Sequence, residues 1–252
     1  MKRIPIALQM YTLRNESAED FTGTLKKVAE LGYEGVELAG YGDVKPVELR
    51  RVLDDLGLKA ASSHIPLSEL RNDSAKVIDV QKELGSKYVV CPYLEPEERT
   101  ESDYFNLIDD LNEIGEKCAV EGLTLCYHNH DFELTALING RPVLETILQE
   151  TNPEWVKAEF DIYWLTFAGE RPAEWLERYK DRSPLVHLKD MTTDGERFFA
   201  ELGSGGVDLD SVLAFGDAGS VDWWIVEQDE CRDSPIRSVQ RSLEYLKKKK
   251  NQ

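Results

Sequence analysis

The stretch LTLCYHNHDFEL, residues 123–134, alternates in a way that decides the fold. Leu123, Leu125 and Tyr127 share one face and Thr124, Cys126 and His128 the other. This is the period of a strand packed on helices through one face and turned into an interior through the other. Working outward, the same grammar recurs on both sides. IPIALQM, YEGVEL, LKAASS and KYVVC precede that stretch, and WVKAEFD, PLVHL and DWWIVE follow it. Helical patterns separate them. One runs from about Glu16 to Leu31, with a Ser17 cap and Gly32 as its stop, and one from Pro46 to Leu56, stopped by Gly57. Others cover Ala75 to Leu84 before Gly85 and Asp103 to Glu121 before Gly122, and the last ends near Lys248. Strands separated by helices pair in parallel, and eight such units in 252 residues predict a single (β/α)8 TIM barrel, one domain over 1–252. In strand six Val156, Ala158 and Phe160 face out and Glu159 and Asp161 in, and in strand eight Glu227 faces in. Barrel enzymes carry their chemistry at these strand ends.

Composition bounds the function. With 30 basic and 48 acidic groups the net charge is −18, which repels phosphate backbones and argues against nucleic-acid partners. No apolar run approaches the roughly 20 residues of a membrane span, and the start MKRIPIALQMYTLR is too polar for a secretory signal, so a cytoplasmic address is expected. Cys91, Cys118, Cys126 and Cys231 lack CxxC spacing and read as reduced packing thiols. The basic end Lys247 to Lys250 reads as a helix C-terminus with a frayed tail. Association into a homo-oligomer is left open.

All four histidines fall at expected strand ends: His64 after strand three, His128 and His130 at strand five, His187 on strand seven. Barrel closure sets strands five to eight side by side, so His128, Asp161, His187 and Glu227 converge at the mouth. Taken singly, each could be a hydrogen-bonded polar group of a barrel layer. Together, with no Arg opposite them, they suit one divalent ion, Mn²⁺ first and Zn²⁺, Mg²⁺ or Co²⁺ as alternatives, with positions left for substrate oxygens. Glu227 is the expected base, partnered by His130 or Lys189; the alternative for Lys189 is an ion pair with Glu159 or Asp190. His64, Glu37, Trp164 and Tyr11 are candidates for substrate contact, with Arg14 weaker. Gly203 to Gly206 could offer N–H groups to a phosphate or carboxylate, and 189–208 is long enough to be a lid.

The strings CYHNHDFEL at 126–134, FDIYWLTFAG at 160–169, VHLKDM at 186–191, ELGSGGVD at 201–208 and WIVEQDE at 224–230, with ALQMYTLR and GYEGVELAGYG near the start, resemble the xylose-isomerase-like TIM-barrel family of sugar-phosphate isomerases and epimerases. The resemblance implies a divalent metal held at the ends of strands five to eight, commonly by Glu, Asp, His and Glu, and an enediolate formed from a sugar or sugar phosphate. Asp161, His187 and Glu227 match, while His128 stands where the family has a glutamate. A metal-bound imidazole cannot act as the second of two bases, which puts symmetric epimerisation in question. Related keto-inositol dehydratases and keto-sugar lyases share a histidine-rich strand five and are the rival reading; a non-catalytic sugar-binding barrel is a weaker one. The DNA-repair nucleases of the superfamily fit poorly, because Trp164 stands where a histidine ligand is expected.

Overall fold

The computed structural model describes residues 3–216 and 219–250. Eight strands form a closed parallel barrel: β1 (Ile6–Gln9), β2 (Gly35–Leu38), β3 (Lys59–His64), β4 (Tyr88–Cys91), β5 (Thr124–His128), β6 (Val156–Asp161), β7 (Leu185–Leu188) and β8 (Trp223–Val226). Each pairs with its sequence neighbours, and β8 closes on β1 through Ile6↔Trp224 and Leu8↔Val226. The expected TIM barrel is therefore present, with the expected faces. Leu125, Tyr127, Ala158, Phe160, Trp224 and Val226 pack with the surrounding helices. Ala7, Ala61, Tyr88, Val90, Cys126, Leu185 and Ile225 form a separate apolar plug inside the barrel.

The helices depart from the sequence reading where short acidic side chains compete with the helix for N–H groups. Residues 16–31 are not one helix. Arg14–Glu19 and Phe21–Leu31 are divided at Asp20, which is extended and accepts from Gly23 N–H, so Asp20 and not Ser17 is the cap. Asp73 likewise leaves helical geometry inside Leu67–Leu84 and accepts from Lys76 N–H, opening the second segment that the sequence shows from Ala75. Thr100 and Asp103 form a capping box on Glu101–Val120. Pro46–Leu56 ends as read, on Gly57 at φ 70°, where a side chain would be strained.

One expectation about flexibility is corrected. After β7, Asp190–Met191 pairs antiparallel with Phe199–Ala200, and the buried Asp190 carboxylate accepts from the N–H groups of Gly203, Gly205 and Val207 at 2.9, 3.0 and 3.0 Å. The 189–208 segment is thus pinned at its base, not free as a lid. A Cβ on Gly205 would lie 2.3 Å from the Met191 carbonyl oxygen, so only glycine lets the chain wrap so closely. At the basic end, Lys247 donates to the Leu31 carbonyl and Lys249 pairs with Asp210 at 2.6 Å, so the helix Pro235–Lys250 ends there as read, and the tail beyond it lies outside the described residues. All four cysteines are free thiols, three of them buried. Among the described residues no helix is long and apolar enough to cross a membrane.

Candidate metal centre and pocket

Strand register builds the site in two tiers. His128 stands opposite Glu159 between β5 and β6, and Asp161 opposite His187 between β6 and β7. The lower tier is Glu37, His64, Glu159 and His187. His64 Nε2 lies 2.7 Å from Glu159 and 3.0 Å from Glu37, and His187 Nε2 lies 2.6 Å from Glu37. Gln9 Nε2 and Ser62 Oγ also donate to Glu37, at 2.7 and 2.5 Å. The Ser62 contact depends on an irregularity that skips one residue of β3 opposite Val36 and Glu37. Burial alone would discharge these imidazoles, but the facing carboxylates outweigh it: Glu37 and Glu159 raise His64 to about 10, and Glu159, Glu37 and Glu227 hold His187 well above its ordinary value.

The upper tier is His128, Asp161, His187 and Glu227, whose ligand atoms all lie within 4.8 Å of one another. His187 links the tiers, with its Nδ1 2.9 Å from Glu227. His128 is the anomaly. Its ring is buried, and neither Nδ1 nor Nε2 has a hydrogen-bond partner; Asp161 Oδ2 is 3.3 Å from Nε2. Burial first, then the positive charges of His187, His64 and Lys189, hold this imidazole neutral, with its pKa well below the ordinary value. A neutral ring with an open lone pair beside two carboxylates and a second imidazole fits a divalent ion.

No Arg was expected opposite this set, and the charge that stands there is Lys189, read from the sequence as a second base or as an ion-pair partner of Glu159 or Asp190. Lys189 is buried, and its Nζ stands 2.9 Å from Asp161, 2.6 Å from Glu227 and 2.7 Å from Asp229. Its partners are these three carboxylates rather than Glu159 or Asp190. Two residues beyond His187, it shares the inward face of that strand, while Asp190 turns away into the glycine loop. Burial opposes the Lys189 charge, but Asp161, Asp229 and Glu227 hold its pKa well above the ordinary value. In return, Lys189 and His187 overcome burial and keep Glu227 ionised, well below the usual carboxylate range.

Above the tiers opens a pocket of about 640 Å³ lined by Tyr11, His64, Tyr93, His128, His130, Lys189, Glu227 and Asp229, among others. Of the residues read from sequence as substrate contacts, Tyr11 and His64 reach it. Glu37 does not, being wholly buried among its hydrogen bonds. Trp164 stands behind His130, ring centroids 5.4 Å apart, and is not part of the wall. His130 lies in the wall between Tyr93 and Phe132 at 5.0 and 5.6 Å, with Nδ1 unpartnered. Sequence reasoning missed Asp229, Tyr93 and Glu159's pairing with His64. Asp229 was legible as the acid two places beyond Glu227; Tyr93, in the loop after β4, carried no periodic signal.

Glu133 was also missed. Buried in the short helix Phe132–Thr135, it accepts from Tyr127 Oη at 2.7 Å and from His130 N–H at 2.8 Å, and so fixes the loop that carries His130. Burial pushes its carboxyl from 4.5 up to about 7. The folded state therefore holds this proton more tightly than the unfolded chain. Its contribution is full below pH 4.5 and is lost as pH rises through about 7. In chelator-treated protein, Glu133→Gln should flatten the fall of unfolding free energy between pH 5 and pH 8 by about 3 kcal/mol. Urea titrations at the two values read it, and an unchanged slope would exclude the assignment.

Residues 25–249 match the family described as Xylose isomerase-like TIM barrel. The chain belongs to that family. An inosose dehydratase of Geobacillus kaustophilus is 26% identical over 88% of this chain and 85% of its own. A sugar phosphate isomerase/epimerase of Parabacteroides distasonis has a crystal structure with TM-score 0.81 and 25% identity, covering 96% of this chain and 92% of the other. The IOLI protein, crystallised with a zinc atom, superposes with TM-score 0.79 at 17% identity over 96% of both chains, a likeness of fold. These relatives include named enzymes of both isomerase and dehydratase type. The family assignment agrees with the sequence resemblance, and the expectation of an enzyme stands with it.

Proposed function

We propose that this barrel is a metal-dependent enzyme that removes the proton beside the carbonyl of a keto sugar or keto cyclitol and completes an isomerisation or an elimination through one face of the carbon. The observation that carries it is the buried His128 ring, with both nitrogens unpartnered, among Asp161, His187 and Glu227. These four residues would hold the ion, with Mn²⁺ or Zn²⁺ the best match to two imidazoles and two carboxylates. When bound, the ion would polarise adjacent substrate oxygens and so acidify the neighbouring C–H. The chain supplies the rest. Glu227, ionised and open to the pocket, accepts the proton. Lys189, held charged among Asp161, Glu227 and Asp229, keeps Glu227 ionised and sets a positive charge at the pocket floor. His130 faces the pocket beside His128 and can pass a proton on. Tyr11 and Tyr93 present ring faces to the apolar side of a sugar.

Isomerisation and elimination share this first step. Elimination of a β-hydroxyl is the second reading, favoured by a neutral histidine in place of the second carboxylate base and by the dehydratase names of the curated relatives. Either outcome is one-faced. In D₂O with metal-loaded protein, deuterium should enter an isomerised keto sugar, or the α-carbon of recovered inosose, with a single stereochemistry, as NMR will read. Label entering through both faces would mean that His130 or Lys189 serves as a second base, and would overturn the one-face assignment.

A further inference from the structure

Charge around the pocket is distributed asymmetrically. Among the described residues lining it, Glu69, Glu227 and Asp229 are acidic and Lys189 is the one Lys or Arg. Lys189 cannot serve as an anion anchor at the pocket's far end, because it is buried and already faces three carboxylates within 2.9 Å. Two guanidinium groups stand beside lining residues, and each is held by backbone carbonyls and an aromatic ring. Arg14 lies 4.4 Å over the Tyr11 ring and donates to the carbonyls of Tyr11 and Asp229. Arg99 lies 3.4 Å over the Phe132 ring and donates twice to the Leu94 carbonyl.

The glycine loop supplies the second observation. Three converging N–H groups, those of Gly203, Gly205 and Val207, form the kind of concavity that cradles a phosphate. Here it is filled by the chain's own Asp190. A ligand phosphate would have to displace a buried carboxylate that accepts four N–H bonds, that of Met191 included. The walls favour the opposite kind of ligand: Tyr11, Tyr93, Ile65 and Pro66 give it apolar faces, and the lining carboxylates accept from hydroxyl groups.

We infer that the pocket takes an uncharged ring polyol, a keto sugar, keto glycoside or keto cyclitol, and discriminates against the phosphorylated form of the same substrate. The inference rests on the carbohydrate reading above and narrows it. A terminal phosphate would enter beside Glu69 and Asp229, where the two cationic lining residues, Lys189 and His64, are each already paired with carboxylates, in a molecule carrying −18.

The test uses matched pairs on Mn²⁺-loaded full chain: D-fructose with D-fructose 6-phosphate, and D-ribulose with D-ribulose 5-phosphate. Calorimetry reads binding, and NMR in D₂O reads C–H exchange. The neutral member of each pair should bind at least tenfold more tightly, and Glu69→Lys should narrow that gap severalfold at low salt and less at high salt. Equal or tighter binding of the phosphorylated member overturns the inference, whether or not either sugar is turned over. Loss of exchange with the binding preference intact would instead count against the catalytic proposal and leave the substrate class supported.

Discussion

Replacing His187 with alanine is expected to do more damage than any other single change at the site, costing about 3–5 kcal/mol of stability even in metal-free protein. The reason is its position between the tiers. One ring bonds Glu37 through Nε2 at 2.6 Å and Glu227 through Nδ1 at 2.9 Å, and stands 3.2 Å from Glu159, with every partner buried. Its loss removes a positive charge from among three carboxylates and opens a void that alanine cannot fill. The same variant loses a proposed ligand, so a divalent metal should no longer purify with it. Urea unfolding of chelated protein reads the first effect and elemental analysis the second. Near wild-type stability would mean that the lower tier is held by His64 alone, and full stoichiometric metal would remove His187 from the ligand set.

Glu227→Gln is expected to lower turnover by about 10² or more while much of the metal is retained, because glutamine keeps the shape and one ligating oxygen but cannot accept a proton. Glu227 is ionised through its contacts with Lys189 at 2.6 Å and His187 at 2.9 Å, so the wild-type base is ready across the neutral range. The fall should appear in kcat rather than KM. Turnover close to wild type would transfer the base to Asp229 or His130.

The fold was legible because period-two alternation and helix stops are local signals, and each strand was placed by its own residues. The helix divisions at Asp20 and Asp73 were not, because they turn on whether a side chain caps the following turn or lies on the helix surface. The convergence of His128, Asp161, His187 and Glu227 followed from closure of the barrel, which orders the strands whatever their lengths. What closure could not reveal was depth. Glu37 was read as a sugar contact, yet the register of β2 against β3 sinks it beneath the pocket among Gln9, Ser62 and the two histidines. The partners of Lys189 depend on which way the chain turns after β7, and that is decided by Asp190 entering the glycine loop thirteen and more residues further on.

The ammonium of Lys189 among Asp161, Glu227 and Asp229 also bears on the order of assembly. Many metal sites are so rich in carboxylates that the chain cannot close until an ion arrives, and there folding and loading are one event. Here the chain brings its own positive charges, Lys189 above and His187 and His64 below, so the acidic strand ends can come together during synthesis before any metal is met. Loading then becomes a late step on a finished scaffold. A barrel assembled in that order should be emptied by a chelator and refilled without unfolding, which circular dichroism through a chelation and reloading cycle would read.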